Sequence, residues 1–241
     1  MNQKLRMIDA DKVAYSEMCN SSSAAAENLL YELKLDWTYH SNAIEGNTLS
    51  LLETKEVIAG SKIGGKSQVE HLEALNHWGA ITFVNELVVA KEELSEWHIR
   101  NIHALVLKDI ENDEAGRYRR ENVTIAGAGT TPPHFMHLNE EMAQLIYWNA
   151  NAVEMHPIER AAELHTRFVE IHPFFDGNGR TGRLLLNFEL MKSGYPPAVI
   201  LKEDKFEYYN ALNKACLSRN YDAITNMIAN ALESSIRRFL I

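Results

Sequence analysis

A chain of 241 residues, 46% hydrophobic and 24% charged, is long enough to bury a sizeable core and too apolar for a disordered polymer. Its net charge of -9 argues against a nucleic-acid surface, although one local basic pocket for a phosphate ligand remains compatible with it. Two cysteines, Cys19 and Cys216, make neither a disulfide framework nor a zinc cluster. With no signal-like start and no apolar run of membrane-spanning length, the expectation is a cytoplasmic protein with neither nucleic acid nor membrane as partner.

Helical periodicity governs most of the chain. Ala24 to Ile44 carries Leu29, Leu30, Leu33 and Trp37 on one face, and Gly46 is placed to stop that helix. Ser50 with Glu53 has the spacing of a capping box. Gly60 to Ser67 reads as a connector, followed by helices over Val69–Ala90 and Glu96–Val106. The pattern breaks from Asp113 to Pro133. There Val123-Thr124-Ile125, followed by Ala126, Gly127 and Gly129, predicts a small β-hairpin flap over about 122–136. Helical spacing returns over Asn139–Asn149, Pro157–Ile171 and Arg183–Met191, ending at Ser193 to Pro197. Two more helices are expected near Phe206–Cys216 and Tyr221–Arg238. No repeat or second boundary is visible, so the expected fold class is all-α, a single domain over 1–241 with one small hairpin.

The chemistry concentrates in His172-Pro173-Phe174-Phe175-Asp176-Gly177-Asn178-Gly179-Arg180-Thr181-Gly182-Arg183. Proline disfavours helix at the residue before it, so His172 stands at a helix end facing the loop. Gly177 and Gly179 permit backbone amides to converge on an anion, and the next helix starts there with its positive dipole end. Arg180 and Arg183 are three apart and can present two guanidinium forks to a polyphosphate. Asp176 is a natural magnesium ligand where phosphates supply the other oxygens. His172 is the obvious general base. Gly177, Gly179 and Gly182 also spell GxGxxG, but a helix and a proline precede them where a dinucleotide fold needs a strand.

This stretch resembles the Fic family motif HPFx[D/E]GNGRxxR at every fixed position, and the resemblance extends over roughly Thr38 to Arg238. Gly116 to Arg119 (GRYR), the flap, Ser193 to Pro197 and Tyr208-Tyr209 also look like Fic proteins. The resemblance implies a helical protein adenylyltransferase using ATP and Mg²⁺. His172 would deprotonate a Ser, Thr or Tyr hydroxyl of a target protein, which would attack the α-phosphate and release pyrophosphate. Asp176 would hold the metal. Asn178 and the amides of Gly177 to Gly182, Thr181 included, would stabilise the α-phosphate. Arg180 and Arg183 would grip the outer phosphates, and Phe174 would anchor the loop in the core. Tyr208 and Tyr209 would lie near the adenine, and the flap residues Val123, Thr124, Ile125, Ala126 and Gly127 would register the target by strand addition.

A second family pattern, [S/T]xxxE[G/N], matches Ser41, Glu45 and Gly46 at the end of the helix over about 24–46. The resemblance implies the self-inhibited class, in which Glu45 pairs with Arg183 and removes the phosphate clamp. A negative charge suits a helix C-terminus poorly, which favours a partner for Glu45 from elsewhere. Removal of AMP, another phosphate-group transfer on the same fold, and a nucleotide-sensing interaction protein stay open as alternatives. Fic proteins often self-associate, which leaves a homo-oligomer open. His134, His137, His156 and His165 show no zinc-ligand spacing, and His165 reads as a packed or supporting histidine.

Overall fold

A computed structural model describes residues 2–20 and 23–240. Ten α-helices follow in order among them: α1 (Asn2–Asn20), α2 (Ala24–Glu45), α3 (Leu51–Ile58), α4 (Gln68–Val89), α5 (Glu96–Val106), α6 (Leu138–Asn151), α7 (Pro157–Ile171), α8 (Asn178–Lys192), α9 (Lys205–Ser218) and α10 (Asp222–Arg237). Their ends follow local chemistry. Ser23 caps α2 through a bond from the Ala26 N–H, and Gly46 closes it at φ 108 with its N–H turned back to Ala43 and Asn42 carbonyls. Ser50 and Glu53 form the expected capping box on α3, and Ser67 with Glu70 forms another on α4.

The α7–α8 pair is the spine of the molecule. One core cluster joins α2, α4 and α5 to one side of the pair through Trp37, Ile81, Ile102, Phe168, Leu184 and Phe188. A second joins α1, α9 and α10 to the other side through Ile8, Ala161, Leu186, Tyr208 and Ile228. α8 is therefore buried around most of its circumference, Asn187 and Glu189 included. Close packing of the pair needs Gly182, where an added Cβ would fall 3.0 Å from His165 Nδ1 and 3.1 Å from Val169 Cγ2.

The expected hairpin is not present. Among the described residues there is no strand, and 121–134 form a loop. Its only internal backbone bond is a turn, Ala128 N–H to Ile125 O at 3.1 Å. Val123 to Ile125 has strand composition, but the returning segment offers Gly129 and then Pro132 and Pro133, which lack the donors and side chains a ladder requires. The loop is pinned instead by side chains: Asn213 on α9 accepts the Gly129 N–H at 2.7 Å, and Asn122 accepts that of Phe135 at 3.1 Å. Among the described residues no helix is long and apolar enough to cross a membrane.

Candidate active site

α7 ends at His172, which takes a left-handed conformation at φ 49 and ψ 58 as the chain enters Pro173. The ring Nδ1 donates to the Val169 carbonyl at 3.2 Å, so the proton sits there and Nε2 keeps its lone pair. Burial pushes the His172 pKa below its ordinary value, and Arg119 acts the same way, while the bond to the Val169 carbonyl, Glu45 and Asp176 oppose it. The imidazole is thus held neutral, the state a base requires.

The loop beyond His172 is fixed from beneath. The buried Phe174 ring stacks on His103 of α5, with centroids 3.6 Å apart. His103 Nδ1 accepts the Gly116 N–H and its Nε2–H donates to the Asp176 carbonyl, both at 2.9 Å. Burial drives the His103 pKa down to about 4, so this imidazole is a neutral strut. Asn178 uses both ends of its amide on the Phe174 backbone, at 2.8 and 3.0 Å. It therefore shapes the turn between Phe174 and α8.

The two arginines occupy different surroundings. Arg180 is buried and bonded to Glu73 of α4 at 2.8 Å and to the half-exposed Asp176 at 3.1 Å. Arg183 donates Nε to the Ser41 hydroxyl at 3.0 Å, and Nη2 to the Ser41 carbonyl at 2.8 Å and to Glu45 at 2.7 Å. Burial works against the charge on Arg183, and the Glu45 carboxylate beside it outweighs that and raises its pKa. Arg183 Nη1 is buried with no hydrogen-bond partner among the described residues. Glu45 also reaches the first turn of α8: a Cβ on Gly179 would stand 2.2 Å from Glu45 Oε1 and 3.2 Å from Arg183 Nη1. A carboxylate thus lies over a helix N-terminus, where an anion is favoured.

These groups line one cavity of about 480 Å³. Its floor holds His172, Gly179, Arg183 and Glu45, and the 125–128 loop and α9 form its walls. Tyr208 is buried there, its hydroxyl 2.7 Å from His165 Nε2, whereas Tyr209 is 40% exposed at the rim. A larger depression of about 790 Å³, along α6, holds none of the motif side chains. Glu73 of α4 and His103 in the last turn of α5 belong to the site but carry no local signal in the sequence. Sequence reasoning noted Arg119 only within the GRYR stretch.

Residues 93–190 match the model of the Fic/DOC family. Over 99% of its length the chain superposes on a solved structure of Fic-1 from C. elegans, with 34% identity, a TM-score of 0.89 and 71% of that chain covered. The chain belongs to the Fic/DOC family. A Fic-domain-containing signaling protein from Bacteroides thetaiotaomicron is similar over 98% of this chain and 97% of its own, at 26% identity and a TM-score of 0.86. Among curated proteins, the protein adenylyltransferase fic-1 of Caenorhabditis briggsae is 37% identical over 90% of this chain but only 43% of its own length. This Fic/DOC chain therefore spans less than half of that relative.

Proposed function

We propose that residues 1–241 form one Fic domain that transfers AMP from ATP to a hydroxyl of a target protein, and that Glu45 holds it in check. The carrying observation is the floor of the cavity: a neutral imidazole with Nε2 free, next to a buried arginine with an unused nitrogen at a glycine-lined helix start. His172 accepts the proton of the target hydroxyl. The oxygen attacks the α-phosphorus, the bond from that phosphorus to the bridging oxygen breaks, and pyrophosphate leaves. The N-terminal amides of α8 and Arg183 stabilise phosphate charge.

The residues present fit ATP and a magnesium ion. Arg183 Nη1 is an orphaned buried donor, and Gly179, lacking a side chain, lets an anion, here the Glu45 carboxylate, sit directly on the first turn of α8. Asp176 would supply one carboxylate to the ion, with phosphate oxygens and water as the remaining ligands, and the metal would neutralise phosphate charge. Arg180 holds Asp176 in place rather than gripping phosphate directly. The 123–127 loop is the segment that would receive an extended part of the target, and its lack of a strand partner leaves its backbone groups available for that pairing. Tyr209 and Phe206 stand at the rim where the base would enter.

The check on activity is electrostatic and steric together. Glu45 occupies the anion seat and takes one arm of Arg183, while Ser41 keeps the guanidinium aimed. ATP labelled at the α-phosphate, incubated with wild type, with Glu45→Gly and with Glu45→Gly/His172→Ala in lysate, tests the reading. Label should enter protein strongly only with Glu45→Gly. Absence of label in all three, with ATP still bound, refutes AMP transfer.

A further inference from the structure

Left-handed backbone at a residue with a side chain persists only where its surroundings over-determine it. His172 is such a residue, and the aim of its ring depends on that peptide. On the N-terminal side α7 holds it, through the His172 N–H to the Phe168 carbonyl; on the other side the peptide is held by Arg119, a residue that is 2% exposed and belongs to the segment leading into the 121–134 loop. Its Nε donates to the His172 carbonyl at 2.9 Å, and its own backbone N–H donates to the Pro173 carbonyl at 2.9 Å. The other two nitrogens reach the two ends of the loop: Nη1 to the Glu121 carbonyl at 2.8 Å and Nη2 to the Pro133 carbonyl at 2.6 Å. One planar fork therefore joins the peptide of the base to both feet of the loop. No carboxylate bonds to this guanidinium among the described residues; each of its three nitrogens donates to a backbone carbonyl.

We propose that Arg119 is a positioning residue for the transfer reaction, registering the flap loop against His172 so that a hydroxyl delivered along the loop meets Nε2. This rests on the transfer reading above. Only arginine suits the task, because three carbonyls in different directions need a rigid planar set of donors. Lysine would keep the charge but could serve only part of the set. Without the fork, loop and base would be free to move separately while the ATP seat on α8 stayed intact.

Arg119→Lys separates positioning from general stability. By amide exchange with mass spectrometry, peptides from 121–134 should exchange about tenfold faster than in wild type, while α10 is unchanged. In the Glu45→Gly background, Arg119→Lys should leave KM for ATP within about twofold and lower kcat for transfer about tenfold or more. Wild-type exchange in the loop, or equal acceleration in α10, overturns the proposal. If Glu45→Gly itself transfers no AMP, the transfer reading falls, and loop exchange alone supports or overturns the clamp. Should Arg119→Lys fail to fold, the unaltered protein decides: the Arg119 Nε–H should give a slowly exchanging side-chain NMR signal, and rapid exchange with solvent there overturns the clamp.

Discussion

Two neighbours that say nothing in the sequence set the state of His172: the Val169 carbonyl, which takes the Nδ1 proton, and the burial that lowers the pKa of the ring. The pH dependence follows with a definite sign. A base works only when deprotonated, and a depressed pKa moves the onset of protonation to lower pH. The acid limb of kcat/KM for transfer by Glu45→Gly should therefore lie below about 6.5, the ordinary histidine value. A limb at or above that value contradicts the assigned environment. Asp176 has a single carboxylate half in solvent and held by Arg180. Asp176→Ala should abolish magnesium-dependent turnover while leaving the fold intact, since its loss releases no buried partner except one arm of Arg180. Turnover that keeps its magnesium dependence in this variant would move the metal elsewhere.

The misfit of Glu45 on its own helix is resolved between helices. A carboxylate at the C-terminus of α2 opposes that dipole, yet the same oxygen lies against the N-terminal turn of α8, where the dipole favours it. α2 ends in register with α8 because Gly46 stops it one residue after Glu45, at a positive φ with nothing within 4 Å of a built Cβ. Gly46→Ala therefore meets backbone strain alone, costing about 1 kcal/mol, or roughly 2–4 °C of Tm in a domain of this size. The strain loosens the turn that carries Glu45, so basal labelling should rise above wild type and stay below Glu45→Gly. Unchanged labelling with a lowered Tm would detach the cap from the inhibition. The caps and the Glu45 pattern were legible because they are local codes. The hairpin was misread because a strand signal in Val123 to Ile125 needs a partner strand, and Pro132 and Pro133 deny it one.

Three buried neutral histidines tie the stability of the whole molecule to pH. Burial lowers His103 to about 4 and His165 to about 3, and sets His77 well below its ordinary value, with Arg183 and Arg180 adding to the effect on His77. Each has a folded pKa below the unfolded one, so between the two the unfolded chain binds more protons. Their contribution is complete above about pH 6.5 and is lost as pH falls, by up to about 1.4 kcal/mol per pH unit for each group. Urea unfolding at pH 7 and pH 5 should show a marked fall in stability at pH 5. Replacing His165, whose Nε2 meets only the Tyr208 hydroxyl, by Gln should reduce that fall. Equal slopes in both proteins would contradict its burial as the cause.

The sequence by itself determined the helical periodicity, most helix ends, the loop from His172 to Arg183 and the match of Ser41, Glu45 and Gly46 to an inhibitory pattern. All of these are written in contiguous residues whose spacing states a local physical requirement. Only the tertiary structure decided that Glu45 rests on Gly179, that Arg180 turns to Glu73, and that Arg119 joins the 121–134 loop to the His172 peptide. Apart from Arg119 with Glu121, those contacts join residues 14 or more positions apart, and their partners are backbone groups or side chains of other helices. Every residue carries a carbonyl, so the sequence does not mark which one a buried guanidinium will meet until packing brings them together.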